Sequence, residues 1–106
     1  MKTEIYVNIT MPGMHCWPAA PEQVAYLQHP HRHLFHITLW MPVSHSDREH
    51  EFFIEQNKLH EVVVRCIDLE DCGSCEHMAT QILGAIPYAS KCEVSEDGEN
   101  GAVVTR

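Results

Sequence analysis

The chain has 106 residues, 44% hydrophobic and 21% charged, which suits one globular domain spanning 1–106. Its 7 basic and 15 acidic residues leave a net charge of −8, which argues against a nucleic-acid backbone or an anionic membrane as a standing partner. No apolar run approaches the roughly 20 residues of a spanning helix, and the opening MKTEIYVNIT carries Glu4 and alternates like a strand, so the expected location is the cytosol.

In chain order, residues 3–10 set Ile5, Val7 and Ile9 against Tyr6, Asn8 and Thr10, the period-two pattern of a strand. Residues 11–32 contain Pro12, Gly13, Pro18, Pro21 and Pro30, and read as a long stiffened loop with one helical turn near 20–27. Residues 33–43 give the strongest strand, with His33, Phe35, Ile37, Leu39 and Met41 on one face and Leu34, His36, Thr38 and Trp40 on the other. Residues 48–66 read as a helix bearing Phe53, Leu59, Val62 and Val63, with two short strands as the alternative. Ser74 is the expected N-cap of a second helix whose stripe is Met78, Ile82, Leu83 and Ile86, stopped by Pro87. Strands at 91–95 and 101–105 flank the turn EDGEN. The predicted architecture is α+β: an antiparallel β-β-α-α-β-β sheet with helices on one face.

The chain has five cysteines, an odd number, and with no secretion signal this favours free thiols. Cys72-Gly-Ser-Cys75 is a CxxC without a second copy, so it supports no four-cysteine zinc site. His60-Glu61 upstream of it lacks the H-x-E and P-C-x-x-C spacing of a zinc deaminase. His45, Asp47 and His50 read as a solvated turn, and Met11, Met14, Trp17 and Trp40 as core or pocket wall.

The nine histidines are the compositional anomaly. His31 and His33 stand two apart at the head of a strand, so both point to one face, about 6.5–7 Å apart along the chain. Two imidazoles so placed can converge on a cation, because zinc–nitrogen bonds run about 2.0–2.1 Å. His15 precedes them in the loop, and a hairpin would bring it alongside; His29 is an alternative ligand. Three histidines with a fourth position open is the arrangement of catalytic zinc. The bland reading is a set of surface histidines at a strand entry.

At these residues the chain resembles the 6-pyruvoyl/6-carboxytetrahydropterin synthases, the tunnelling-fold family. His15 and His31-Arg32-His33 match the family's loop histidine and its HxH, which bind zinc. EFFIEQNKL at 51–59 occupies the place of the family's aspartate-phenylalanine pair before a leucine-lysine, Gly73-Ser74-Cys75-Glu76-His77-Met78-Ala79 resembles its helix opening, and Cys92 to Val104 its last two strands. The matches run in order over nearly the whole chain. The resemblance implies a zinc ion on His15, His31 and His33 and a pterin or purine-like ligand held by Glu96, with Glu76 and Cys75 at the ligand. It also implies a homo-oligomer, a trimer or hexamer, with sites between subunits. A carboxylate suits the anchoring role, because it accepts two parallel N–H bonds from an amidine edge. The departures are specific. Leu27 stands where the family has its catalytic cysteine, and the family's aspartate–histidine pair has no clear match. Cys16 and His60 are then the candidates for the thiol and histidine that move protons. Two functions follow: a lyase acting on a dihydroneopterin-triphosphate-like or other purine-derived heterocycle, or a non-catalytic binder that kept the pocket.

Overall fold

A computed structural model describes all of residues 1–106. Strand β1 (Thr3–His15) pairs antiparallel with β2 (His31–Val43), β2 with β3 (Lys91–Glu96), and β3 with β4 (Asn100–Thr105), giving one four-stranded antiparallel sheet in the order β1-β2-β3-β4. Helices α1 (Phe52–Cys66) and α2 (Cys75–Ala85) lie between β2 and β3 in the chain. The connection from β1 to β2 contains a kinked 3-10 segment, Glu22–Gln28. The chain is thus α+β, as the pattern predicts.

Alternation decides which face is buried. Phe35, Ile37, Leu39 and Met41 of β2, with Cys92 and Val94 of β3, are fully buried against Leu59 and Val63 of α1 and Met78 and Ile82 of α2. Full burial of each large apolar side chain is worth about 1.5–3 kcal/mol. The other face keeps Tyr6 exposed beside Trp40, whose ring lies under the Lys91 ammonium at 4.5 Å. Both helices therefore cover one face only.

Helix α2 starts where Ser74 Oγ accepts the His77 N–H at 3.1 Å, the N-cap expected from the sequence. Its last turn is closed by Arg106, whose guanidinium donates to the carbonyls of Leu83, Ile86 and Ala89, a cation at the negative end of the helix. Helix α1 is capped by Glu51, which accepts the Ile54 N–H at 2.9 Å. The helix reading of residues 48–66 holds over Phe52–Cys66.

Two expectations need correction. First, β1 runs through Pro12 and Gly13 to His15, so the loop spans 16–30 only. Met14 N donates to Leu69 O and Met14 O accepts from Cys72 N, so even-numbered residues of β1 turn their backbone groups away from β2. Pro12 shares that outward set, and its missing N–H costs the ladder nothing. Gly13 is required for contact: a Cβ there would lie 2.7 Å from Cys72 Sγ and 3.0 Å from Phe35. Second, Phe53 is not on the buried stripe of α1. It is exposed, and Glu55, Leu59 and Val63 face the core instead.

Candidate metal centre and pocket

His15 and His31 are direct partners in the β1–β2 register, and His33 is opposite Gly13, one step nearer the core. All three project from the helix-covered face, at the end of the sheet beside the start of α2. Their ring centroids stand 4.4 to 4.9 Å apart in edge-on contacts. One nitrogen from each lies within 4.8 Å of the others, so the group could hold a metal ion. Phe35 closes the inner side, its ring 5.6 Å from His15 and 5.8 Å from His33. His29 contributes only its backbone carbonyl.

The proton positions follow from the partners. His15 Nδ1 donates to Gly73 O at 2.9 Å, His31 Nδ1 to His29 O at 2.8 Å, and His33 Nδ1 to Asp97 Oδ2 at 2.7 Å. Carbonyls and carboxylates only accept, so each Nδ1 carries hydrogen and each neutral ring presents a lone pair at Nε2. Metal-ligating histidines are oriented by this kind of bond on the far nitrogen. The Nε2 atoms of His31 and His33 are buried and have no hydrogen-bond partner. Leaving a buried polar atom unpaired costs about 1–3 kcal/mol, and a cation at the focus of the three rings removes that cost. The donor set therefore fits a divalent ion.

Two of the anchors come from residues with left-handed backbone. Gly73 (φ +74°) turns its carbonyl to His15 immediately before α2. Asp97 (φ +56°) occupies the β3–β4 turn, where aspartate tolerates such a backbone, and it also accepts the Leu34 N–H at 2.8 Å. The His33 hydrogen bond, with that from Leu34, holds the Asp97 carboxyl below the usual carboxylate range. Sequence reading passed over Asp97 because an Asp-Gly pair reads first as a turn; nothing local reveals its partner 64 positions away.

His15 and His31 of the triad line a cavity of about 460 Å³, and His33 lies outside its lining. Cys16, Trp17 and Leu27 from the β1–β2 connection form one side, and Cys75 and Glu76 at the start of α2, with Glu96 of β3, another. Asn100 to Ala102 of β4 complete the wall. The structure thus brings Cys16, Cys75, Glu76 and Glu96 into one cavity with His15 and His31, and Glu96 also reaches His33. His60 is exposed on α1 and is not among the lining residues. Leu27 stands in the lining, with no thiol at that position.

Glu96 reaches toward the histidines, with Oε1 3.4 Å from His15 Nε2 and Oε2 3.5 Å from His33 Nε2. The Cys75 thiol points at Oε1 from 3.9 Å. Cys75 opens α2, and a helix N-terminus favours thiolate. Burial and the Glu96 charge outweigh that, and push the Cys75 thiol up to about 12. It is therefore a protonated donor to Glu96 at neutral pH.

No helix is long and apolar enough to cross a membrane. No protein-family model matches the chain, and no curated protein sequence matches it.

Proposed function

We propose that this chain is a zinc-dependent lyase of the 6-carboxytetrahydropterin synthase kind, with a tunnelling-type fold, acting on a dihydroneopterin-triphosphate-like or other purine-derived heterocycle. The observation that carries the reading is the convergence of three Nδ1-anchored imidazoles on one point at the border of a cavity. That cavity, about 460 Å³, lies within the usual range for small-molecule sites.

His15, His31 and His33 would hold the ion, and a zinc-type cation there would supply Lewis acidity toward an oxygen of the ligand. The chain's own groups do the rest. Glu96 accepts paired N–H donors from the edge of a flat ring, and Trp17 and Leu27 form the apolar side of the slot. Cys16 and Cys75 are the thiols within the cavity, and Cys75 has its proton directed at Glu96. His60 is left out, because a general acid or base must come within hydrogen-bond reach of the proton it moves.

The second reading is a non-catalytic binder of the same class of ring. The presence of Leu27 in the lining, where the resembled enzymes have their cysteine, favours it. Native mass spectrometry of protein purified without added metal, followed by anaerobic incubation with dihydroneopterin triphosphate, separates the two. Loss of the triphosphate side chain by wild type, but not by the His31→Ala/His33→Ala double variant, is the expected result. Tight binding without turnover would replace the lyase by the binder. Full metal content in the double variant would sink the metal assignment and the lyase with it.

A further inference from the structure

We propose that Glu96 is a fourth protein ligand to the metal when the cavity holds no other ligand, so that the centre at rest is a closed three-histidine, one-carboxylate site. This rests on the reading of His15, His31 and His33 as a metal group.

The argument begins with two distances that do not suit a hydrogen bond. Glu96 Oε1 stands 3.4 Å from His15 Nε2, and Oε2 stands 3.5 Å from His33 Nε2. Nitrogen–oxygen hydrogen bonds run about 2.7–3.2 Å, and His33 Nε2 has no hydrogen-bond partner at all. The protons are also in the wrong place. Both rings already donate from Nδ1, to Gly73 O and to Asp97 Oδ2, so in the neutral ring Nε2 carries a lone pair. A carboxylate oxygen facing an imidazole lone pair is an acceptor facing an acceptor. Such a pair is repulsive unless something positive lies between them.

The same spacing is what a tetrahedral cation requires. With ligand bonds of about 2.0–2.2 Å to nitrogen or carboxylate oxygen, the edge of a tetrahedron is roughly 3.3–3.6 Å. Both Glu96 contacts fall inside that interval. The two contacts come from different oxygens, so a four-coordinate ion would take only one of them, after a small rotation of the carboxylate that sets that oxygen at the edge distance from both rings.

The placement of Glu96 is built into the sheet. It is the last residue of β3, paired with Phe35 and Asn100, and the next residue, Asp97, is tied to β2 through Leu34 and His33. Its backbone is therefore fixed on the helix-covered face, diagonal to His33. The Cys75 thiol at 3.9 Å adds a donor to Oε1, the kind of outer contact that orients a ligating carboxylate. A ring offering paired N–H donors would draw the carboxylate onto itself. Recognition of the ring and opening of the fourth position then become one event.

The test uses the full-length protein loaded with cobalt(II), whose visible spectrum reports coordination. Wild type should show an intense four-coordinate spectrum that azide leaves unchanged. Glu96→Ala should bind cobalt at least tenfold more weakly, and azide should then shift its spectrum. Glu96→Gln, which preserves shape and folding, should also lose at least tenfold in affinity. Azide shifting the wild-type spectrum as readily as that of Glu96→Ala, with equal cobalt affinity in all three proteins, would overturn the inference while leaving the histidine group intact. Wild type binding cobalt no better than His31→Ala/His33→Ala would overturn the metal reading itself, and this inference with it.

Discussion

Asp97 takes the His33 Nδ1–H on one carboxylate oxygen and the Leu34 amide on the other, while its own amide donates to Leu34 O. It thereby fixes both the rotation and the tautomer of His33. Asp97→Asn keeps the size and tolerates the left-handed backbone. One amide oxygen must now choose between two donors, however, and the NH₂ group opposes whichever it abandons. Satisfying Leu34 forces the His33 proton onto Nε2, where it blocks a metal. Metal affinity should fall by about 10–100-fold, as for other such outer partners, and competition against a chelating dye measures it; unchanged affinity would remove Asp97 from the centre. A pH dependence follows in metal-free protein. The carboxyl is held low when folded, so its contribution to stability is present above the ordinary carboxylate range and is lost as pH falls through the lowered value. The gap in melting temperature between wild type and Asp97→Asn should therefore close on acidification.

Among the elements, β1 shows why one stretch of sequence misleads. Pro12-Gly13 inside an alternating segment reads as a break, yet at a sheet edge a proline whose nitrogen points outward is harmless. The glycine is required by a neighbour 59 positions away in the chain, Cys72, which no local pattern reveals. Helix α1 misleads in the opposite direction. Hydrophobicity nominates Phe53, but the buried position is Glu55, kept inside by Tyr88 Oη at 2.6 Å and by Lys58 and His50 at 3.4 Å. The metal group was legible for a simple reason: strand parity puts His31 and His33 on one face whatever surrounds them. Its anchors, Gly73 and Asp97, were not, because they depend on contacts spanning 58 and 64 positions. Gly13 also supplies a prediction. In Gly13→Ala the new methyl would lie 2.7 Å from Cys72 Sγ and 3.0 Å from Phe35, neither of which has free space around it. Overpacking of this kind costs about 1–3 kcal/mol. It should also loosen metal binding, because the displaced Cys72 precedes the Gly73 carbonyl that orients His15. Urea denaturation with metal titration checks both, and wild-type values in both would show that the Cys72 segment yields freely.

At the scale of the whole molecule, the shape points to association. The chain extends over 50 × 25 × 21 Å with a radius of gyration of 14.9 Å, against about 13 Å for a compact domain of this length. The excess comes from the long β1–β2 hairpin, whose strands run well past the stretch of β2, Phe35–Trp40, that β3 covers. Both outer strands also offer backbone to a neighbour. On β1 the outward groups near Met14 are occupied by Leu69 and Cys72, and the Asn8 carbonyl by Gln56, but Tyr6 and Thr10 have no such partner. β4 pairs on one side only. Exposed strand edges of this kind are usually blunted or paired, and pairing β4 of one copy with β1 of the next would use both. Asn100, Gly101 and Ala102 at the start of β4 line the cavity, so a neighbour docked there would add to its open wall. We therefore expect copies to pair edge to edge; the resemblance noted in the sequence implies that they close as a trimer or hexamer, and ligand affinity should then fall on dilution as the ring dissociates. Sedimentation over a range of protein concentrations, run beside ligand titrations at the same concentrations, tests both parts. A stable monomer at micromolar concentration would rule out the ring, and affinity independent of assembly would confine the binding site to a single chain.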